Sequence, residues 1–290
     1  MDEKIQRENY FPKNPLRILF FETFLFSLTF ILGISTAYRL SKIVNIPKIE
    51  ATPSFYAQFI LTTVFIVLII LLIIKFVKSS LKKKVLLKTL FLLAIAFGSL
   101  IFFETWLGEP WALLLVAILV FGWLKKPVIF LHDFLLVSGT AGIGSVAGAE
   151  LKPLTVVYLL IIFSIYDFIA VYKTRHMIKM AKAMSEVGAM PGLILPSNIS
   201  GFRAPLSNIN SKERSLILGS GDIAFPLFLS ISLIEEGILK SITVAFFALL
   251  GLVASFWIFF RQKERKAIPA LPPIALFSII GYLITLLFKS

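Results

Sequence analysis

Apolar residues run along this chain in long blocks, separated by short clusters of charge, proline or glycine. The blocks lie near 16–38, 54–77, 85–107, 109–124, 127–148, 153–172, 215–235, 238–260 and 268–288. About twenty consecutive apolar residues are what an α-helix needs to cross a lipid bilayer. The pattern therefore predicts an all-α polytopic membrane protein of nine transmembrane helices. The fourth block is short, and the fifth carries the glycine-rich run SGTAGIGSVAGAE. The first is too long and too uniformly apolar for a cleaved signal peptide, and is expected to be a retained anchor. One long connection, 173–214, divides the chain into six helices over 1–172 and three over 215–290. An odd number of crossings puts the termini on opposite sides.

Composition supports the membrane assignment. Of the 290 residues, 58% are hydrophobic, against ~45–50% for a soluble domain, and the mean hydropathy is +0.92. There is no cysteine, which excludes disulfides, thiol catalysis and thiolate metal sites. The two histidines, His132 and His176, are too far apart in sequence to read as a metal-ligand motif. No metal and no organic cofactor is expected.

The formal charge of +13 would suggest nucleic acid in a soluble protein. Here the basic residues flank apolar blocks, where they orient helices and meet anionic lipid. With the N-terminus inside, 23 of the 29 Lys and Arg residues fall on inner segments and 6 on outer ones. The N-terminus is thus expected in the cytoplasm and the C-terminus outside.

Acids inside such blocks are costly and mark function. Asp222 stands in SLILGSGDIAFPLFLSISLI, otherwise free of ionisable groups, and Asp167 in SIYDFIAVY. The sixth block runs outward to inward and ends five residues past Asp167, while the seventh runs back and begins seven residues before Asp222. At ~1.5 Å per residue both acids lie roughly 8–10 Å from the inner boundary, at matching depth on consecutive antiparallel helices. Two facing carboxyls do not both ionise cheaply in a low dielectric, so they are expected to share a proton and titrate together. One ionised and one protonated carboxyl is the arrangement that activates water in aspartic proteases. Gly219 and Gly221 leave bare, compliant backbone beside Asp222, and Pro226 frees its carbonyl from the helix ladder. Ser215 and Ser230 continue a small or polar stripe on that face, and Ser164 and Ala170 flank Asp167.

At these residues the chain resembles the presenilin and signal-peptide-peptidase family of intramembrane aspartyl proteases, in its archaeal branch. Three separated signatures carry the resemblance, in the family's order: YDFIAV with Tyr166-Asp167, GSGDIAFP with Gly219-Ser220-Gly221-Asp222, and IPALPP with Pro269-Ala270-Leu271. GxGD alone also occurs in prepilin peptidases; the three together on a nine-span topology are specific. The resemblance implies that Asp167 and Asp222 are the catalytic dyad and that Pro269, Ala270 and Leu271 shape the cleft beside them. It implies a multi-pass protein of an archaeal cell membrane that cleaves transmembrane helices of other proteins. Tyr166 is a candidate for orienting Asp167. The pair Pro272-Pro273 departs from the family pattern and is expected to loosen the start of the ninth helix.

Other features are open. Asp133 is expected either in the same cavity or as a supporting acid near a helix end. Glu22 and Glu104 lie at membrane depth without an evident partner. The glycines of the fifth block, Gly139, Gly142, Gly144 and Gly148, are expected to permit close packing. Within 173–214, KTRHMIKMAKAM reads as a surface-lying amphipathic helix. The following GLILPSNISGFRAP reads as extended, able to pair with an unwound substrate or to act as a plain connector. Two rival functions remain: a secondary transporter or cation leak channel using the paired acids, and a non-catalytic scaffold.

Overall fold

The structure, a computed structural model, describes residues 15–43, 80–173, 188–206, 215–262 and 268–287, together with the isolated positions 58, 61, 62, 65 and 184. The predicted second block, 54–77, lies outside the described residues apart from four of those positions, as does nearly all of the basic stretch that opens the 173–214 connection.

The described chain is helical with one small hairpin. In order it forms α1 (Pro15–Ile43), α2 (Ser80–Leu107), α3 (Trp111–Lys125), α4 (Ile129–Glu150) and α5 (Pro153–Phe168), which continues as a π-helical turn, Ile169–Lys173. Strand β1 (Gly192–Leu195), a 3-10 turn (Ile199–Arg203) and strand β2 (Leu216–Gly219) follow. Then come α6 (Ser220–Ser232), the 3-10 turn Ile234–Glu236, α7 (Ile238–Phe260) and α8 (Leu271–Thr285). Among the described residues, five helical stretches are long and apolar enough to cross a membrane: Pro15–Ile43, Val85–Leu107, Ile129–Glu150, Pro153–Lys173 and Ile238–Phe260. Trp111–Lys125 and Leu271–Thr285 are shorter apolar helices. Large apolar side chains such as Leu16, Phe97, Leu113 and Phe246 stand exposed around the bundle, as a lipid-facing surface requires.

Helix α4 is the hub. It packs against α1, α2, α3 and α6, and 67% of its most apolar stretch is buried inside the protein against 17% for α2. Lipid offers no hydrophobic force to bring helices together, so close backbone approach and hydrogen bonds do so. The glycines of the fifth block serve this purpose, as expected. Gly139 and Gly142 lie against the α2 backbone around Gly98, and a Cβ on Gly148 would come 2.7 Å from Ile231 Cβ of α6. Ser99 Oγ of α2 meets Ser138 Oγ of α4 at 2.9 Å, and Ser230 Oγ of α6 donates to the Ser241 carbonyl of α7 at 2.8 Å. The Ser230 hydroxyl is therefore committed to helix packing and does not extend a polar stripe from Asp222.

Two expectations change at the hairpin. The seventh block does not begin as helix: Leu216–Gly219 is a strand, paired antiparallel with β1 in the register Gly192↔Gly219, Leu193↔Leu218, Ile194↔Ile217, Leu195↔Leu216. The chain turns helical only at Ser220. LILG has a matching segment, GLIL, with which to satisfy its backbone, and that pairing wins over continuation of an apolar helix. Second, the 188–206 segment is folded into the protein. β1 is buried along its whole length, Ile129 N–H donates to the Ala204 carbonyl at 3.1 Å and Leu206 N–H to Pro127 at 2.8 Å. Phe202 meets Phe21 of α1 edge-on at 5.2 Å.

Candidate active site

The C-terminal end of α5 and the N-terminal ends of α6 and α8 meet at the end of the bundle that carries the hairpin. Asp167 is the penultimate residue of α5, directly before the π-helical turn, a local widening common at functional sites. Asp222 lies in the first turn of α6. Both are buried, at 6% and 8% exposure, and they lie within electrostatic range of each other. Phe163, one turn before Asp167, stacks on Phe225, nearly one turn after Asp222, with ring centroids 4.2 Å apart. That pair fixes how α5 and α6 face one another next to the acids.

Each acid is also held by backbone. Gly219 is the N-cap of α6 in extended conformation, and the Asp222 carboxyl takes a backbone hydrogen bond from Gly219. An acid at the third helical position reaching back to the N-cap amide is half of a capping box. Gly219 thus sits beside the carboxyl as the last residue of β2, not one helical turn away on the same face. A Cβ there would stand 2.9 Å from Asp222 Oδ2. A Cβ on Gly221 would meet only the Phe225 ring, at 3.6 Å. Pro226 lies inside α6, four residues after Asp222, so the Asp222 carbonyl receives no helical N–H from that position.

Opposite, Leu271 N–H donates to Asp167 Oδ2 at 3.4 Å. Pro269 is buried beside it, Ala270 is the N-cap of α8, and Leu271 is the first helical residue, itself buried. The pair Pro272-Pro273 does not loosen this start. Both prolines fall in the first helical turn, where N–H groups have no intrahelical acceptor and a fixed φ suits the helix. Because neither proline carries an N–H, few amides are left to satisfy there, and that of Leu271 goes to Asp167.

Tyr166 is 58% exposed while its neighbour Asp167 is buried, and the hydrogen bond seen at the Asp167 carboxyl comes from Leu271. Ser164 Oγ, one turn before Asp167, is buried and unpaired. Glu22 acquires the partner its sequence could not name: it is buried on α1 within electrostatic range of Asp222, and its Oε2 has no hydrogen-bond partner. No local spacing signals this, since the two residues lie on separate helices. Asp133 is buried on α4 and accepts from Ile194 N–H of β1 at 3.0 Å; it supports the hairpin. Among the described residues no group of three or more His, Asp or Glu side chains is placed to hold a metal ion.

A presenilin-family intramembrane aspartate protease, solved in two crystal forms, has this fold: TM-score 0.58 in both, 18% and 19% identity, covering 90% of this chain and 94% of that one. No curated protein matches the sequence. Residues 12–290 match the family described as signal-peptide peptidase, presenilin aspartyl protease. Spanning nearly the whole chain, that match makes this protein a member of the signal-peptide peptidase and presenilin family of intramembrane aspartyl proteases.

Proposed function

We propose that Asp167 and Asp222 are the catalytic pair of this protease, and that it hydrolyses peptide bonds in or near transmembrane helices of other membrane proteins. The observation that carries the reading is the meeting of two buried acids from separate helices, each held by a backbone amide at a helix end. In the reaction, the ionised carboxyl takes a proton from a water molecule as the oxygen attacks the scissile carbonyl. The protonated carboxyl gives its proton to the carbonyl oxygen, forming a neutral gem-diol. Collapse of the diol breaks the C–N bond, with one carboxyl protonating the leaving nitrogen and the other taking a hydroxyl proton. The pair then again holds one proton.

Substrate helices hide their amides in their own ladder, so a segment must unwind before attack. The outer edge of β2 suits the unwound segment. Ile194 N–H and the Gly192 carbonyl are engaged on the far side of β1. By alternation their partners turn the Ile217 N–H and carbonyl and the Gly219 carbonyl to the outer edge of β2, the Gly219 N–H being taken by Asp222. A substrate strand pairing there would run into the site of Asp222. Of the extended segment foreseen within 173–214, then, β1 is the inner strand, and β2 offers the edge.

The wider frame of the proposal is nine crossings with a cytoplasmic N-terminus and an external C-terminus. It divides into helices over 1–172, a cytoplasmic connection over 173–214, and helices over 215–290, in contact with anionic lipid of an archaeal cell membrane. The transporter reading finds no support in a family of proteases.

The test is cleavage of a single-span substrate by the purified protein in detergent. Asp167→Ala and Asp222→Ala each abolish cleavage, and an aspartyl transition-state analogue blocks the parent protein. Persistent cleavage by either variant would remove that acid from the reaction.

A further inference from the structure

On the far side of β1 from β2, the strand meets no third strand among the described residues. It meets two consecutive side chains of α4. Ile194 N–H donates to Asp133 Oδ1 at 3.0 Å, and His132 Nε2 lies 3.2 Å from the Gly192 carbonyl. Since that carbonyl accepts, His132 carries its proton on Nε2. A carbonyl that accepts at Gly192 and an amide that donates at Ile194 are the groups a neighbouring strand would engage along one edge of β1. Both side chains are buried, His132 at 1% and Asp133 at 2% exposure. The imidazole is fixed by stacking on Phe91, centroids 5.5 Å apart and 18° between planes, with Trp123 next to it at 6.5 Å.

We propose that His132 and Asp133 are positioning residues that stand in for a third strand along the inner edge of β1. They fix the hairpin register that leads into Asp222 and leave substrate pairing to the outer edge of β2. The inference rests on the proposed function for its consequence, because the register of β2 decides which substrate bond is presented to the acids. A strand with one face buried resists a one-residue slip, which would turn its side chains over. Gly192 is distinctive, since a Cβ there would stand 2.5 Å from the Leu218 carbonyl oxygen. The other paired positions of β1 are all leucine or isoleucine and all buried, so alternation of those side chains specifies the register weakly. The two bonds from α4 supply the missing specification. Only the acceptor at Asp133 Oδ1 is needed, so an amide serves as well as an acid.

The experiment reads cleavage positions by mass spectrometry of products from a single-span substrate, with kcat and KM, for the full-length protein in detergent. His132→Phe keeps a ring between Phe91 and Trp123 and deletes the bond to Gly192. Asp133→Leu deletes the bond to Ile194, and Asp133→Asn keeps an acceptor there. We expect His132→Phe and Asp133→Leu to spread cleavage over neighbouring bonds and to lower kcat/KM about tenfold. Asp133→Asn restores the parent cleavage positions. Hydrogen exchange of the 188–206 segment rises in the two deleting variants and not in Asp133→Asn, a readout independent of activity.

Parent products at parent rates from His132→Phe and Asp133→Leu overturn the proposal. So does a uniform loss of rate with unchanged cleavage positions, which marks general destabilisation. Failure of Asp133→Asn to cleave also overturns it, since the acid itself would then be required. If Asp133→Leu does not fold, His132→Phe decides. Cleavage by the parent that survives loss of either Asp167 or Asp222 refutes the proposed function and leaves the exchange result to judge the positioning role.

Discussion

Two glycines two positions apart would be treated alike by any rule that counts only the motif GxGD, yet their surroundings differ. Gly219 faces the carboxyl it caps: an added Cβ would sit 2.9 Å from Asp222 Oδ2, closer than a real Cβ comes to an oxygen. Relief requires the carboxyl to rotate off the Gly219 amide or the helix N-terminus to shift from β2. Gly221 opens toward a single aromatic edge at ordinary contact distance. Gly219→Ala is therefore expected to lower kcat on the order of 10- to 100-fold, equivalent to about 1.4–2.7 kcal/mol in the barrier. Gly221→Ala should stay within a few-fold of the parent. Steady-state cleavage by the two variants side by side checks the difference; equal losses would show that the motif acts through backbone freedom and not through the space beside Asp222. The acids and their motifs are legible in the sequence because charge in an apolar block is conspicuous. Glu22 was equally conspicuous, but its proximity to Asp222 depends on how α1 packs against α6, which no spacing encodes.

Among the elements, α6 departs furthest from its pattern, and the reason is local. An apolar run of this length reads as one helix, and hydropathy does not distinguish a strand of LILG from the first turn of that helix. The distinction comes from GLIL, more than twenty residues upstream. The helix that remains is short and carries Pro226 in its interior, which costs a helix about 3 kcal/mol relative to alanine. Pro226→Ala supplies an N–H to the Asp222 carbonyl and completes the ladder through the first turns of α6. The variant should unfold at a higher temperature in detergent and turn over more slowly, because the backbone around Asp222 loses the compliance that the proline leaves. Thermal unfolding and kcat measured on the same preparation test this. A more stable variant of unchanged kcat would show that the compliance left by the proline plays no part in turnover. The prolines of α8 teach the converse: Pro272 and Pro273 read as disruptive in sequence, yet at the start of a helix they remove amides that would need partners, and the amide of Leu271 turns to Asp167.

At the scale of the whole molecule, what orders the parts is a division between a lipid-facing shell and an interior joined by glycine contacts and hydroxyl bonds. The fold class follows from that division and was legible from hydropathy alone, since blocks of apolar residues can be satisfied only as helices in lipid. Orientation is a separate matter, carried by charge outside the helices: 23 of 29 basic residues lie on one set of segments in the nine-span reading. The absence of cysteine makes that reading directly testable, because a single introduced thiol is the protein's only maleimide target. In sealed right-side-out vesicles, an impermeant maleimide should label Ser41→Cys and Ser290→Cys from outside. Gln6→Cys and Ser211→Cys should be labelled only after the vesicles are opened. Each variant's proteolytic activity certifies its fold before labelling. Labelling of positions 6 and 290 from the same side would require an even number of crossings. Labelling of position 211 from outside would place the connection before β2, and with it the two acids, at the outer face and reverse the orientation that the basic residues predict.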